Sequence, residues 1–413
     1  MEKYNKYKDS DIDWLLDEIP SHWETKRIKD LCKMQSGFYI SANDFKDEGF
    51  PIYGGNGFRG FSEDYNHDGE YTLIGRQGAL CGNINYAKGK FWATEHAIVV
   101  YEKKGVNKFW FGELLRLMNL NQYSLSAAQP GLSVEKIKRL KLPFIPLLKE
   151  QTQIANYLDA KTTAIDKKIR LLQQKIKHYK AYRKTLINET VTKGLDKTVK
   201  LKDSGVNWIG EIPEHWEVKR LKDLSAFING YAFNSKEYVD TGIPIIRISN
   251  ISNEIDFKKC KYVNSSYLKL AKDSLLINDD ILVAMTGATI GKNSMYNNKR
   301  KALLNQRVGI IRAKKSINNL FLFQIIKSQI FKDYIDLLCG GSAQENISKT
   351  QIENFYIQLP PIKEQQQIAD YLDAKTSTID KIVKNIENQI IILKELRKTL
   401  INEVVTGKAK VSA

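Results

Sequence analysis

A chain of 413 residues that is 42% hydrophobic is long enough for two to four domains, each with its own core. Lys plus Arg number 64 against 47 Asp plus Glu, a net charge of +17 that points to a polyanionic partner, nucleic acid first. No apolar run approaches the roughly 18 residues that span a bilayer, and the opening stretch has no signal-peptide core. The cysteines Cys32, Cys81, Cys260 and Cys339 form no CxxC pair. That argues for a reducing, cytoplasmic setting with no membrane, disulfide framework or zinc site.

In chain order, the first element is DSDIDWLLDEIPSHWETKRIKDL (Asp9–Leu31), which returns as DSGVNWIGEIPEHWEVKRLKDL (Asp203–Leu224). Short strands follow at TLIG and AIVVYE in the first half, and at IPIIRIS, DILVAM and RVGIIRA in the second. Short helices are predicted over KFWFGELLRLMN and NLFLFQIIKSQIFKDYIDLL. YTLIGRQGALCG (Tyr71–Gly82) parallels DILVAMTGATIG (Asp280–Gly291), an apolar strand and then Gly-Ala-x-x-Gly. SAAQPGLSVEKI (Ser126–Ile137) parallels GSAQENISKTQI (Gly341–Ile352).

Each half closes on a long helix. EQTQIANYLDAKTTAIDKKI from Glu150 returns as EQQQIADYLDAKTSTIDKIV from Glu364, and RKTLINE at Arg183 returns at Arg397, both at an offset of 214. Pro20 and Pro213 are offset by only 193, so the second half holds 21 additional residues between its frames. Ala155, Thr162, Ile169, Ile176 and Arg183 recur every seventh residue, as do Leu158, Ile165, Leu172, Tyr179 and Leu186. The second copy repeats this seam at Ala369, Thr376, Val383, Ile390 and Arg397, and at Leu372, Ile379, Ile386, Leu393 and Leu400. Such a pattern asks for a like helix as partner, most simply the other copy. The expected fold is α+β: two globular α/β domains separated by two long helices in an antiparallel coiled coil, a pseudo-twofold tandem repeat. The expected bounds are 1–146 and 195–359 for the domains with their frames, 147–194 for the first helix, and 360–413 for the second helix and tail.

Catalytic motifs are scarce. Gly55-x-Gly57-x-x-Gly60 fits a dinucleotide pattern, but no helix and no acid follow at the required spacing, so a glycine-rich turn is expected. Glu24-Thr-Lys26 and Glu217-Val-Lys219 resemble the E-x-K end of a nuclease site, yet lie beside Trp23 and Trp216 in the repeated frame, where packing is expected. There is no Walker A loop, G-x-S-x-G or HExxH. His22 and His215 are equivalent by the repeat and each precedes a Trp, so capping or packing is expected for both.

The duplicated frame GEIPEHWEVKRLKDL, the run LPPIKEQQQIADYLDAKT and RKTLINEVVTG around diverged cores resemble the specificity subunit of type I restriction–modification enzymes, from about Asp9 to Lys408. The first copy departs slightly, with FIPLLKEQ for QLPPIKEQ and one more residue in DWLLDEIP. The resemblance implies target recognition domains that each read one half of a bipartite double-stranded DNA site. It implies helices that set the spacer and dock two methyltransferase subunits, with restriction subunits joining the full complex. It implies a non-catalytic chain that binds no cofactor, S-adenosylmethionine belonging to the methyltransferase subunits, and ATP and Mg to the restriction subunits. Two other readings compete. One is a methyltransferase with an unrecognised cofactor motif, which binding of that cofactor would reveal. The other is a coiled-coil scaffold that binds nucleic acid without sequence specificity.

Base readout is expected from the polar residues of the glycine-rich loops and of the segment before each long helix, since Arg grips guanine and Asn or Gln adenine. In the first core these are Arg59, Arg76, Gln77, Gln129 and Ser133. In the second they are Arg247, Asn250, Thr286, Thr289, Asn305, Gln306, Arg307, Gln344 and Asn346. Lys88, Lys136, Lys292 and Lys349 are expected on phosphates.

Overall fold

The computed structural model describes residues 2–15, 17–78, 80–124, 130–252, 255–339 and 346–411. The chain divides into two compact units, Met1–Leu172 with Glu387–Ala413, and Gln173–Ile386. Each contains an α/β domain, half of the first long helix (Leu148–Lys193) and half of the second (Ile362–Val405).

In the first unit a six-stranded sheet runs in the order Cys32–Ser36, Ala97–Glu102, His67–Gly75, Ile84–Ala93, Phe50–Gly54 and Gly57–Ser62. All neighbours are antiparallel except Phe50–Gly54 on Ile84–Ala93. The helix Lys108–Leu117, capped by the Asn107 side chain on Trp110 N, buries Trp110, Phe111, Leu114 and Leu115 in the same core as Ile74, Ile98 and Val100 of the sheet.

The second unit repeats this order over Ser225–Asn229, Val308–Ala313, Asp280–Ala284 and Asn293–Tyr296. Ile243–Ile246 pairs in parallel with Leu303–Leu304 as Phe50–Gly54 pairs with Ile84–Ala93, so one long strand of the first unit is two short ones here. Most of the additional residues lie after Ile246, where short 3-10 turns, the strand Lys261–Val263 and the helix Tyr267–Leu270 replace a simple hairpin. The apolar stretch from Asn319 is two helices, Asn319–Lys327 and Gln329–Cys339. Ser328 between them is extended, and Asn188 Oδ1 accepts from Gln329 N at the start of the second.

The heptad spacing is the seam of the helices. Between residues 161 and 186 of the first helix, every position outside the two sevenfold series is exposed, and every position within them is buried or half-buried. In the first unit Ile154, Ala155 and Leu158 share a core with Leu400, Ile401, Val404 and Val405, so the halves run antiparallel. In the second, Ile187 and Val191 share one with Ile368, Ala369 and Leu372. Arg397 Nε lies 3.2 Å from Asp166 Oδ1, and Arg183 Nε 3.1 Å from Asp380 Oδ1, the same ion pair written once in each unit.

Candidate nucleic-acid interface

Where the strands of the first unit end, five segments are tied together. Arg76 N donates to His96 O (2.8 Å), Thr94 N to Tyr53 O (2.9 Å), Gly37 N to Ala97 O (2.9 Å) and Leu132 N to Arg76 O (2.9 Å). The second unit makes the same bonds: Met285 N to Arg307 O (3.0 Å), Asn305 N to Ile246 O (2.9 Å), Gly230 N to Val308 O (3.2 Å) and Ile347 N to Met285 O (2.9 Å). The bridges Gln77↔Gly131 and Thr286↔Asn346 complete the correspondence. Two sequence segments more than fifty residues apart, the strand-end loop and the approach to the long helix, thus form one surface in each unit.

Glycine makes these turns possible. Gly78 and Gly82 have φ of +88° and +86°, and Gly287 and Gly291 +73° and +76°, backbone that L side chains rarely adopt. These are the two glycines of Gly-Ala-x-x-Gly, bridged by Cys81 N on Gly78 O and by Ile290 N on Gly287 O. A Cβ on Gly37 or Gly230 would sit 2.2 Å from the Ala93 carbonyl or 2.1 Å from the Asn305 carbonyl, so glycine lets each loop press against its neighbour.

Exposed or half-buried on this framework are Arg76 and Gln77 in the first unit, and Thr286, Thr289, Lys292, Asn305, Gln306, Arg307 and Asn346 in the second. Arg76 is braced by Nη1 donating to Ser36 Oγ at 3.1 Å. Arg59 lies exposed on strand Gly57–Ser62, its guanidinium 5.7 Å from the centre of the Phe45 ring. Lys136 is exposed in the short helix Val134–Ile137, and Lys349 pairs loosely with Glu353 at 3.7 Å. Arg247 is half-buried, Nη2 donating to Lys259 O. Gln129 and Gln344 lie outside the described residues.

One expectation needs correction, Asn250, and two further residues, Ser133 and Lys88, already have partners within the fold. Asn250 is fully buried; its Oδ1 accepts from Arg247 N and its Nδ2 donates to Asp256 O, so the amide faces the fold and cannot reach a base. Ser133 caps the helix Val134–Ile137, its hydroxyl accepting from Lys136 N, as Ser348 caps Lys349–Glu353. Lys88 is in register with Glu70 and ion-paired to it at 2.7 Å, four residues (about 13 Å) down the ladder from the Ile74–Ile84 rung.

The glycine-rich Gly55–Gly60 stretch is the turn and first residues of the hairpin between Phe50–Gly54 and Gly57–Ser62, as expected. The E-x-K pairs close on themselves, Lys26 on Glu24 at 3.1 Å and Lys219 on Glu217 at 2.8 Å, and Lys26 also lies over the Phe144 ring. Among the described residues no group of three or more His, Cys, Asp and Glu is arranged to hold a metal ion, and no helix is long and apolar enough to cross a membrane.

Residues missed from the sequence also stand here. Phe38 and Tyr231, which follow the two pressed glycines, are exposed rings at equivalent places. Glu95 and His96 occupy the places of Gln306 and Arg307. The signal was the three-residue step before each paired strand, Thr94–His96 before AIVVYE and Asn305–Arg307 before VGIIRA. Beneath the second site Arg312 holds buried Asp280 through two bonds of 2.7 Å, which fix adjacent strands; that bond pushes the guanidinium pKa further up. The first unit places Tyr71 and Tyr101 there, with His67 bonded to Tyr101 and stacked on Phe91, and burial holds the His67 imidazole below its ordinary range.

Duplicated α/β domains that present one loop framework with different side chains, joined to antiparallel helices, define a class of paired readers. The model of the type I restriction modification DNA specificity domain matches residues 20–178 and 213–391, and the chain belongs to that family. It is 46% identical to the type I restriction enzyme EcoprrI specificity subunit of Escherichia coli, over 38% of this chain and 40% of that relative's length. It is 25% identical to the MjaVIII specificity subunit of Methanocaldococcus jannaschii, over 95% of this chain and 94% of the other. Among solved structures, a chain from work on complex assembly and conformational transition of the type I R-M system matches with a TM-score of 0.72 at 15% identity. That match covers 95% of this chain and 100% of that one. The HsdS subunit from Thermoanaerobacter tengcongensis matches with a TM-score of 0.54 at 16% identity, covering 95% of this chain and 99% of the other; these likenesses concern the fold.

Proposed function

We propose that the chain is the sequence-reading subunit of a type I restriction–modification complex. Each domain reads one half of a bipartite duplex DNA site, and the long helices set the unread spacer and dock two methyltransferase subunits. Restriction subunits join the full complex. The chain itself performs no catalysis and carries no cofactor: S-adenosylmethionine belongs to the methyltransferase subunits, and ATP and Mg to the restriction subunits.

The observation that carries this reading is one backbone framework written twice with different tips. At the rung where strand end meets strand start, the first unit has Arg76 opposite His96 and the second has Met285 opposite Arg307. One framework gives both halves the same docking geometry, whereas different tips give them different bases. A guanidinium can take guanine O6 and N7 together, and each such pair discriminates by about 1–3 kcal/mol. Arg307→Ala, assembled with methyltransferase subunits and assayed on duplexes varied at each position, is expected to relax one position of one half-site and leave the other half-site intact. An equal loss of affinity on every duplex would make Arg307 a phosphate contact and remove it as a reader.

A further inference from the structure

In the second unit the tripeptide Asn305-Gln306-Arg307 carries the residue types that grip adenine and guanine. Hydrogen bonding fixes its counterpart in the first unit as Thr94-Glu95-His96. Thr94 Oγ1 accepts from His96 N at 3.3 Å and Asn305 Oδ1 from Arg307 N at 3.4 Å, the same side-chain-closed turn. Ala97 N donates to Thr94 O and Val308 N to Asn305 O, both at 2.9 Å. At the middle position an acid therefore stands where the second unit has an amide.

That acid is exposed in part and incompletely bonded. The Glu95 side chain is 33% exposed, and its Oε1 lies 3.1 Å from His96 Nε2. The other oxygen, Oε2, is shielded and has no hydrogen-bond partner. A shielded carboxylate oxygen without a donor is costly, so this carboxylate holds an acceptor that the fold leaves unused. A half-turn of the two-fold terminal torsion only exchanges the two oxygens, so it is rotation about the staggered side-chain bonds nearer the backbone that carries a carboxylate oxygen outward. On a surface facing phosphates, an idle carboxylate would only repel.

We infer that Glu95 is a specificity-determining residue whose carboxylate accepts a hydrogen bond from the N4 amino group of a cytosine in the half-site read by the first unit. His96 acts as its positioning residue. This rests on the DNA-reading proposal above. An ionised carboxylate only accepts. In the major groove guanine offers acceptors O6 and N7, and thymine an acceptor and a methyl group. Adenine sets its amino group beside the acceptor N7, which repels a carboxylate and suits an amide instead. Cytosine alone offers an amino group with no neighbouring acceptor on that edge.

The test uses the full chain assembled with methyltransferase subunits, with affinity measured on duplexes varied at every position of both half-sites. E95Q is expected to lose about tenfold of its preference for cytosine at one position of the first half-site and to accept adenine there, the second half-site being unchanged. His96→Gln is expected to weaken the same position by a smaller factor and shift no other. If E95Q fails to fold, Gln306→Glu applies the same rule in the second unit and must move one position of the second half-site towards cytosine. Equal tightening of E95Q on all duplexes would make Glu95 a mere repulsive charge, and altered preference in both half-sites a scaffold residue; either overturns the inference. Absence of any sequence preference in the unsubstituted complex would instead refute DNA reading itself, and this inference with it.

Discussion

Glu150 and Glu364 show why the frames repeat so closely. Glu364 accepts from Trp216 Nε1 at 3.1 Å and meets His215 Nε2 at 2.9 Å, while Glu150 takes Trp23 Nε1 at 3.1 Å and His22 Nε2 at 3.0 Å. The adjacent glutamines are buried; Gln151 Oε1 accepts from Asn107 N and Gln365 Oε1 from Asn318 N. Each Glu-Gln step thus binds the frame before a domain and the helix within it to the first turn of a long helix. Burial, and then the bond to Glu150, push the Tyr4 phenol well above its ordinary range. Glu364→Ala leaves a buried indole donor without its acceptor and is expected to cost about 1–3 kcal/mol in urea unfolding of the full chain. Glu364→Gln keeps an acceptor oxygen and should cost less; an equal cost would show that packing, and not the bond, holds the frame.

The long helices are 46 and 44 residues, and because helices in proteins draw most of their stability from packing an apolar face rather than from local propensity, their seam decides. Leu372 is fully buried in it, whereas Arg183 and Asp380 meet at its rim, with side-chain exposures of 24% and 58%. Leu372→Ala is expected to cost about 2–5 kcal/mol through transfer and cavity formation. Arg183→Ala should cost less than about 1 kcal/mol, because exposed ion pairs are screened and entropically expensive. Comparable losses in chemical denaturation would mean that charge, and not apolar burial, pairs the helices. The heptad arithmetic was legible because spacing alone sets which residues share a helix face. That an arginine holds a seam position was legible too, but not its partner, since Asp166 and Asp380 lie outside the apolar series.

At the scale of the whole molecule, the proposed reading has the +17 charge set affinity and the loop tips set selectivity. Lys292 is exposed on the second framework and Lys136 in the short helix of the first. Replacing each by Ala is expected to lower the slope of log affinity against log salt by about 0.9, with base preference unchanged. An unaltered slope for Lys292→Ala would take that lysine off the phosphates.

The sequence by itself determined the duplication, the two seams, the glycine turns at Gly78–Gly82 and Gly287–Gly291 and the family, because these depend on spacing and on residues without substitutes. Tertiary structure alone decided which polar groups face outward. Asn250 and Asn305 are the same residue type and each closes a turn through its side-chain oxygen, yet the first is fully buried and the second stands half-exposed just before a strand. Likewise Glu95 gains its place only through the rung that joins Arg76 to His96. Side-chain direction at a loop depends on hydrogen bonds to chain segments distant in sequence, which no local pattern of residues encodes.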